Sequence, residues 1–251
     1  MSFRVAFLAI AMATAGAAHA GPAADRFREA NELVRAGDYP AAISLYAELA
    51  ASGQESASLY WNWAQAAIAR GAQGEALWAL LRARELDPGD RAVVRDVERL
   101  REALNLDPAE IAPEPLATAG RIARRLRLDV ASLALLALSL LAHGLVRVRP
   151  GLRLAGTAAV AALALGLLAA GVPFAASLAR PTATVVRRGA PLLDAASPTA
   201  EATGSLREGE VVPVLETSGA WLRIEDNAGA RGWARADDVR RLDAPPPPPR
   251  D

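Results

Sequence analysis

The rhythm of hydrophobic and polar positions changes three times along the chain. From residue 21 to 110 the pattern is helical, rich in Ala, Leu, Arg and Glu. Breakers interrupt it at Gly37-Asp38, Gly71 and Asp87-Pro88-Gly89-Asp90, which predicts helices joined by tight turns. Polar positions then disappear. Val130–Val146 is 17 residues without a formal charge, and Leu154–Ala179 is 26. With short extensions, membrane-spanning helices are expected over 126–146 and 154–179, since a hydrocarbon core of ~30 Å needs ~20 residues at ~1.5 Å each. After Arg180-Pro181 the pattern alternates. The runs TATVV, GEVVPVLET, AWLRIED and RGWARADDVRRL, separated by Gly and Asn turns, predict five short strands within 181–243. Residues 111–125 read as a linker, 147–153 as a tight loop and 244–251 as an extended proline-rich tail.

Residues 1–20 stand apart. Arg4 precedes the apolar run Val5–Ala15, and small residues follow, ending Ala18-His19-Ala20. This is the pattern of a cleavable export signal, and the run is too short to span a bilayer. An uncleaved anchor is the alternative.

Aligning Gly37 with Gly71 shifts the chain by 34 residues and places Ala30 on Ala64, Ala42 on Ala76, Tyr46 on Leu80 and Leu49 on Ala83. Small residues recur where helices must approach closely, and large ones where they interlock. Asp38 is placed to cap one helix, with Pro40 in its first turn, and Asp90 to cap another from Arg91 to about Leu104. The stretches RAGDYPAAISLYAEL and ARGAQGEALWALLRARELDPGD resemble the second helix and closing turn of tetratricopeptide repeats, with Pro88 where that family ends a unit. A helical bundle of another kind is the alternative. The resemblance implies a concave, protein-binding surface lined by the first helix of each unit, with Phe27, Asn31, Trp61, Gln65, Arg95 and Arg99 facing it. Two units and one helix fall short of the three usually needed. Either Arg91–Leu104 is a solvated cap or a partner completes the stack.

Between the apolar segments, Arg147, Arg149 and Arg153 flank a Pro150-Gly151 turn. Arginine-rich short loops stay cytoplasmic, which places both flanking domains on the outer, periplasmic side of a bacterial inner membrane. Arg121, Arg124, Arg125 and Arg127 oppose this assignment. His143 reads as a neutral interfacial residue. Gly156, Ala159, Ala162 and Gly166 form a stripe that lets the two helices pack closely.

In the C-terminal segment Val211, Val214, Leu222, Ile224 and Val239 are candidate core positions, with Trp221 and Trp233 expected to contribute most of the buried area. The segment Gly204-Ser205-Leu206-Arg207-Glu208-Gly209, the run Gly219–Ile224 and the turn Gly232-Trp233 resemble the plan of bacterial SH3 domains. The resemblance implies a small all-β SH3-like barrel with Leu206, Gly209, Trp221, Gly232 and Trp233 as structural positions. Binding to peptidoglycan or to a protein is its implied function. The stretch LLDAASPTA departs from the family pattern.

Charge adds little, because 28 basic and 28 acidic residues balance, which points to no nucleic acid partner. Every basic side chain is arginine, and cysteine is absent, which removes disulfides and thiol chemistry. No P-loop, zinc-protease, nucleophile-elbow or dinucleotide motif occurs, and pairs such as Asp237-Asp238 and Glu225-Asp226 sit in open turns. A non-enzymatic protein without cofactor or metal is expected.

The whole order (export signal, tetratricopeptide-like helices, two-helix membrane hairpin, SH3-like barrel) resembles BatE-type proteins of aerotolerance operons. That resemblance implies a multidomain scaffold whose partners are membrane proteins with von Willebrand A-type domains and an associated MoxR-type ATPase, beside the bilayer itself.

Overall fold

The structure, a computed structural model, describes residues 21–112, 115–148 and 153–245. The expected export signal over 1–20 with His19, the turn around Pro150-Gly151 and the tail beyond Pro245 lie outside these residues.

Five helices come first: α1 (Pro22–Ala36), α2 (Tyr39–Ala51), α3 (Ala57–Ala69), α4 (Gln73–Leu86) and α5 (Arg91–Ala103). Each packs on its predecessor. Asp38 caps α2 by accepting from the Ala41 amide at 3.2 Å, and Asp90 caps α5 by accepting from Ala92 at 2.7 Å. Ser56, 34 residues before Asp90, caps α3 in the same manner.

The period of 34 is written in the backbone. At Gly37 the chain turns left-handed, with amides 37 and 38 bonded back to carbonyls 34 and 33. Gly71 repeats this with amides 71 and 72 on carbonyls 68 and 67. Asn105, φ 52°, does so again with amides 105 and 106 on carbonyls 102 and 101. Asparagine is among the few residues that tolerate this conformation, so the third turn escapes a search for glycine. Ala30, Ala64, Ala42, Ala76, Tyr46 and Leu80 are all fully buried, as their register requires.

The stretch expected as a linker carries a helix, α6 (Pro115–Arg125). Arg127, at φ 51°, separates it from α7 (Leu128–Val148), which pairs with α8 (Arg153–Ala176). Both are long and apolar enough to cross a membrane, and only 11% and 17% of their most apolar windows are buried. Leu133, Leu140, Leu141, Leu168 and Phe174 stand exposed on their outer surfaces. The small-residue stripe lies between the two helices: Ala159 and Ala162 are buried, and a Cβ on Gly166 would come within 3.1 Å of Leu136. Ser139, facing it, donates to the Ala159 carbonyl at 2.8 Å. His143 is exposed near the other end.

The C-terminal unit is an antiparallel sheet in the order β3-β2-β6-β5-β4-β1-β7. Its strands are β1 (Thr182–Val185), β2 (Pro191–Leu193), β3 (Ala202–Ser205), β4 (Val211–Ser218), β5 (Trp221–Glu225), β6 (Arg231–Arg235) and β7 (Val239–Arg241). Seven strands thus replace the expected five. The two additional ones, β2 and β3, are too short to show alternation, and every residue of β3 is exposed, so it is held by main-chain pairing and by the Thr203 hydroxyl, which donates to the Leu192 carbonyl at 3.0 Å. The core is aliphatic: Val185, Leu192, Leu206, Val212, Val214, Leu222, Ile224 and Val239.

Candidate functional site

Function in such a molecule depends on which surfaces its own parts already occupy. Between the helices and the sheet, the most extensive contact is made by α4. Gly74, Trp78 and Arg82 lie one turn apart on a single face of α4. The Gly74 amide donates to Glu208 at 2.7 Å, Trp78 Nε1 donates to the Arg241 carbonyl at 2.9 Å, and Arg82 donates to the Leu242 carbonyl. A Cβ on Gly74 would lie 2.8 Å from the Val186 carbonyl oxygen, so only glycine allows this approach. β7 is an end strand of the sheet, and α4 covers that edge.

Charge is satisfied inside the joint. Glu75, 5% exposed, accepts from Trp63 Nε1 at 3.1 Å and from Arg240 at 2.7 Å, and pairs with Arg70. The Arg240 guanidinium also lies 5.1 Å from the Trp78 ring centre and 5.7 Å from that of Trp63.

A second contact forms beyond α5. On the 34-residue period a further helix would begin near Asp107; instead a turn leads to Glu110, whose carbonyl accepts from the Val211 amide at 2.8 Å. Arg207 pairs with the Glu110 carboxylate at 3.0 Å. Gly209 fits between Leu77, Leu104 and Leu106, any of which a Cβ would meet within 3.1 Å. Val211 belongs to the helical core rather than that of the sheet. The sheet therefore occupies the end of the helical stack, and the helices need no separate protein to cover α4.

Sequence reasoning missed this joint, although one signal was available. Ala76–Leu81 are six apolar residues without interruption and so go all the way round α4; in the structure every residue from Gly74 to Ala83 is buried, Glu75 and Arg82 included. Such a helix must be covered all round.

The opposite surface is formed by α1, α3 and α5. Asn31 accepts from Tyr46 Oη at 2.6 Å and from Asn62 Nδ2 at 2.8 Å, linking α1 to α2 and α3. Trp61 Nε1 donates to Asp96 at 2.9 Å, and Arg99 pairs with the same carboxylate at 3.2 Å, linking α3 to α5. Gln65 is half-buried, and Arg95 is exposed. Phe27 does not stand free on this surface. It packs on the helical core with its ring centre 6.1 Å from that of Tyr46. Trp61 is likewise partly buried against that core. The remaining open groups are polar, because the apolar rings supply the packing that holds the helices together.

On the sheet, Leu206 is a core residue, 3% exposed, and Gly232 allows close approach of β6 to β2, where a Cβ would lie 2.6 Å from Leu192. Trp221 and Trp233 do not fill the core, contrary to expectation: both are half-buried. They alternate with arginines on the outer face of β5 and β6, with Trp221 opposite Arg235 and Trp233 opposite Arg223. The Arg235 guanidinium lies 5.9 Å from the Trp221 ring centre. Inward positions of these strands are held by Leu222, Ile224 and Ala234, which leaves no volume for indoles.

Residues 188–240 match the family described as Bacterial SH3 domain. The match starts after β1 and ends within β7, so Val186, Arg241 and Leu242, which touch α4, lie outside it. No curated protein and no solved structure matches the chain.

Proposed function

We propose that this protein is a non-enzymatic, membrane-anchored scaffold that holds a protein partner on the surface of α1, α3 and α5. One observation carries the reading. The sheet covers α4 and the end of the stack, while the polar surface around Asn62, Gln65, Arg95 and Arg99 stays open. Amide and guanidinium groups there suit an extended segment with free carbonyls and acidic side chains. The arrangement of α1 to α5 supports a tetratricopeptide-like reading through its three equivalent turns at residues 37, 71 and 105.

α7 and α8 serve as a membrane hairpin in this proposal. Hydrogen bonds between α4 and the sheet support placing both folded units on one side of the bilayer. We assign the periplasmic side of the inner membrane, because Arg147 and its neighbours form a short basic loop. In a system of the aerotolerance-operon type the partner would be a membrane protein with a von Willebrand A-type domain.

Removing the helical units would strip the sheet of its packing, so point changes test the reading better. A photo-crosslinker at Asn62 in the full chain should capture a discrete partner. Arg95→Glu with Arg99→Glu should abolish capture, and an unchanged crosslink pattern would overturn the proposal.

A second reading assigns the sheet to the cell wall. It is favoured by the bacterial SH3 match and by the outward ladder of Trp221, Arg235, Trp233 and Arg223. Indoles stack on sugar rings, and guanidiniums pair with stem-peptide carboxylates. Detergent-solubilised full chain should then sediment with peptidoglycan sacculi, and Trp221→Ala with Trp233→Ala should release it.

A further inference from the structure

Where α8 leaves its apolar stretch, an arginine-lined cavity of about 440 Å³ opens between α4, α6, the residues before β1 and the end of β7. Arg82, Arg121, Arg124 and Arg180 line it, with only Glu85 and Asp243 as carboxylates. Glu85 is shared: Arg121 donates to one of its oxygens at 3.0 Å, and Arg124 pairs with the other. Arg180 is exposed and has no ion pair among the described residues. Arg82 is neutralised by Glu55, and Asp243 by Arg241. Three guanidiniums thus face one carboxylate, which leaves two positive charges uncompensated.

A second cavity, apolar and of about 580 Å³, runs between α6 and α8 along Ala119, Leu167, Leu168, Gly171 and Ala175. Ala175 on its wall is four residues from Ala179 on the wall of the arginine-lined cavity. The apolar cavity lies within the membrane-length stretch of α8 and the arginine-lined one just past the helix end.

We propose that these cavities together bind one anionic glycerophospholipid, with its phosphodiester among Arg121, Arg124 and Arg180 and an acyl chain along Gly171 and Leu168. Charge complementarity and depth both select this occupant. Headgroup phosphates lie about 5–8 Å beyond the hydrocarbon edge, the reach of the few residues from Ala176 to Arg180. A zwitterionic lipid brings an ammonium that the same arginines repel. The inference rests on the membrane reading of α7 and α8 proposed above.

The test uses the full chain extracted in mild detergent and exchanged into equimolar phosphatidylglycerol and phosphatidylcholine, with retained lipid measured by native mass spectrometry. Wild type should retain phosphatidylglycerol over phosphatidylcholine by roughly tenfold. Arg124→Gln with Arg180→Gln should bring the ratio to about one, whereas Arg223→Gln, on the far sheet surface, should leave it unchanged. Gly171→Leu should lower retention of phosphatidylglycerol. A Cβ at Gly171 meets no atom within 4 Å, so this change fills the groove without disturbing the helices. Equal retention of both lipids by wild type, or a preference that survives the double arginine change, overturns the site. Displacement of the lipid by millimolar glycerol phosphate would assign the cavity to a soluble phosphate and overturn it as well. Recovery of the chain in the supernatant of detergent-free lysates would instead overturn the membrane reading, and the site with it.

Discussion

The indole nitrogen of Trp78, on α4, donates to the main-chain carbonyl of Arg241, on β7, at 2.9 Å across 163 residues of sequence. That bond and its neighbours join the helical stack to the sheet. Trp78 is fully buried and packs edge-on against Trp63 and Tyr60, with ring centres 5.1 and 5.5 Å away. Trp78→Ala should therefore cost about 3–5 kcal/mol, and it should uncouple the units. Thermal unfolding of the detergent-solubilised full chain is expected to change from one transition to two. A single transition at an unchanged midpoint would refute the coupling.

Gly74→Ala reverses the ordinary rule for helices. In an open helix this change gains about 1 kcal/mol. Here the new Cβ would lie 2.8 Å from both the Val186 carbonyl oxygen and Glu208 Cγ, so a destabilisation of about 1–3 kcal/mol is expected. Gly144, a helical glycine in α7 whose Cβ would meet nothing within 4 Å, is the matched control and should tolerate alanine. The two midpoints measured side by side decide the matter.

Glu75 is the single carboxylate between Arg70, Arg240 and the Trp63 indole. Glu75→Gln keeps the shape and removes the charge. Arg70 is well exposed and finds water, but Arg240 is held between two indole rings and loses its counter-charge. A loss of about 2 kcal/mol is expected. Because Arg240 belongs to β7, proteolysis should then release the sheet from the helices sooner. Unaltered proteolytic lifetimes would contradict this account.

Burial pushes the Tyr46 hydroxyl up to about 12, from an ordinary value of 10. Raised in the folded state, this group stabilises the fold fully below pH 10. The contribution fades as pH rises from 10 to 12, because the unfolded chain then releases a proton that the folded one retains. Tyr46→Phe should remove that part of the alkaline decline, while costing about 1 kcal/mol at neutral pH through the lost bond to Asn31. Unfolding midpoints of the two proteins between pH 8 and 11.5 give the comparison.

The chain contains no cysteine, so introduced thiols report topology cleanly. In intact cells made permeable only at the outer membrane, Arg95→Cys should react with an impermeant maleimide, and Arg147→Cys should react only after lysis. The reverse pattern would place both folded units in the cytoplasm.

Much of the local architecture was legible from the chain alone. Helical period, capping by Asp38 and Asp90, the 34-residue register of Ala30 with Ala64 and Ala42 with Ala76, and two long charge-free stretches are properties of neighbouring residues. Local sterics and solvation fix them wherever the segment sits. The alternation of β4, β5 and β6 was equally plain, down to Leu222 and Ile224 as core. Trp221 and Trp233 misled because large rings are usually buried, whereas the cross-section of so small a sheet was already filled by aliphatic side chains. Which surfaces stay open was decided only by tertiary structure. That α4 carries the sheet, that Arg82 and Arg180 meet at one cavity, and that the face of Asn62 and Arg95 remains uncovered all depend on contacts between residues remote in sequence. No local pattern encodes such contacts, because their energy exists only once the chain has closed on itself.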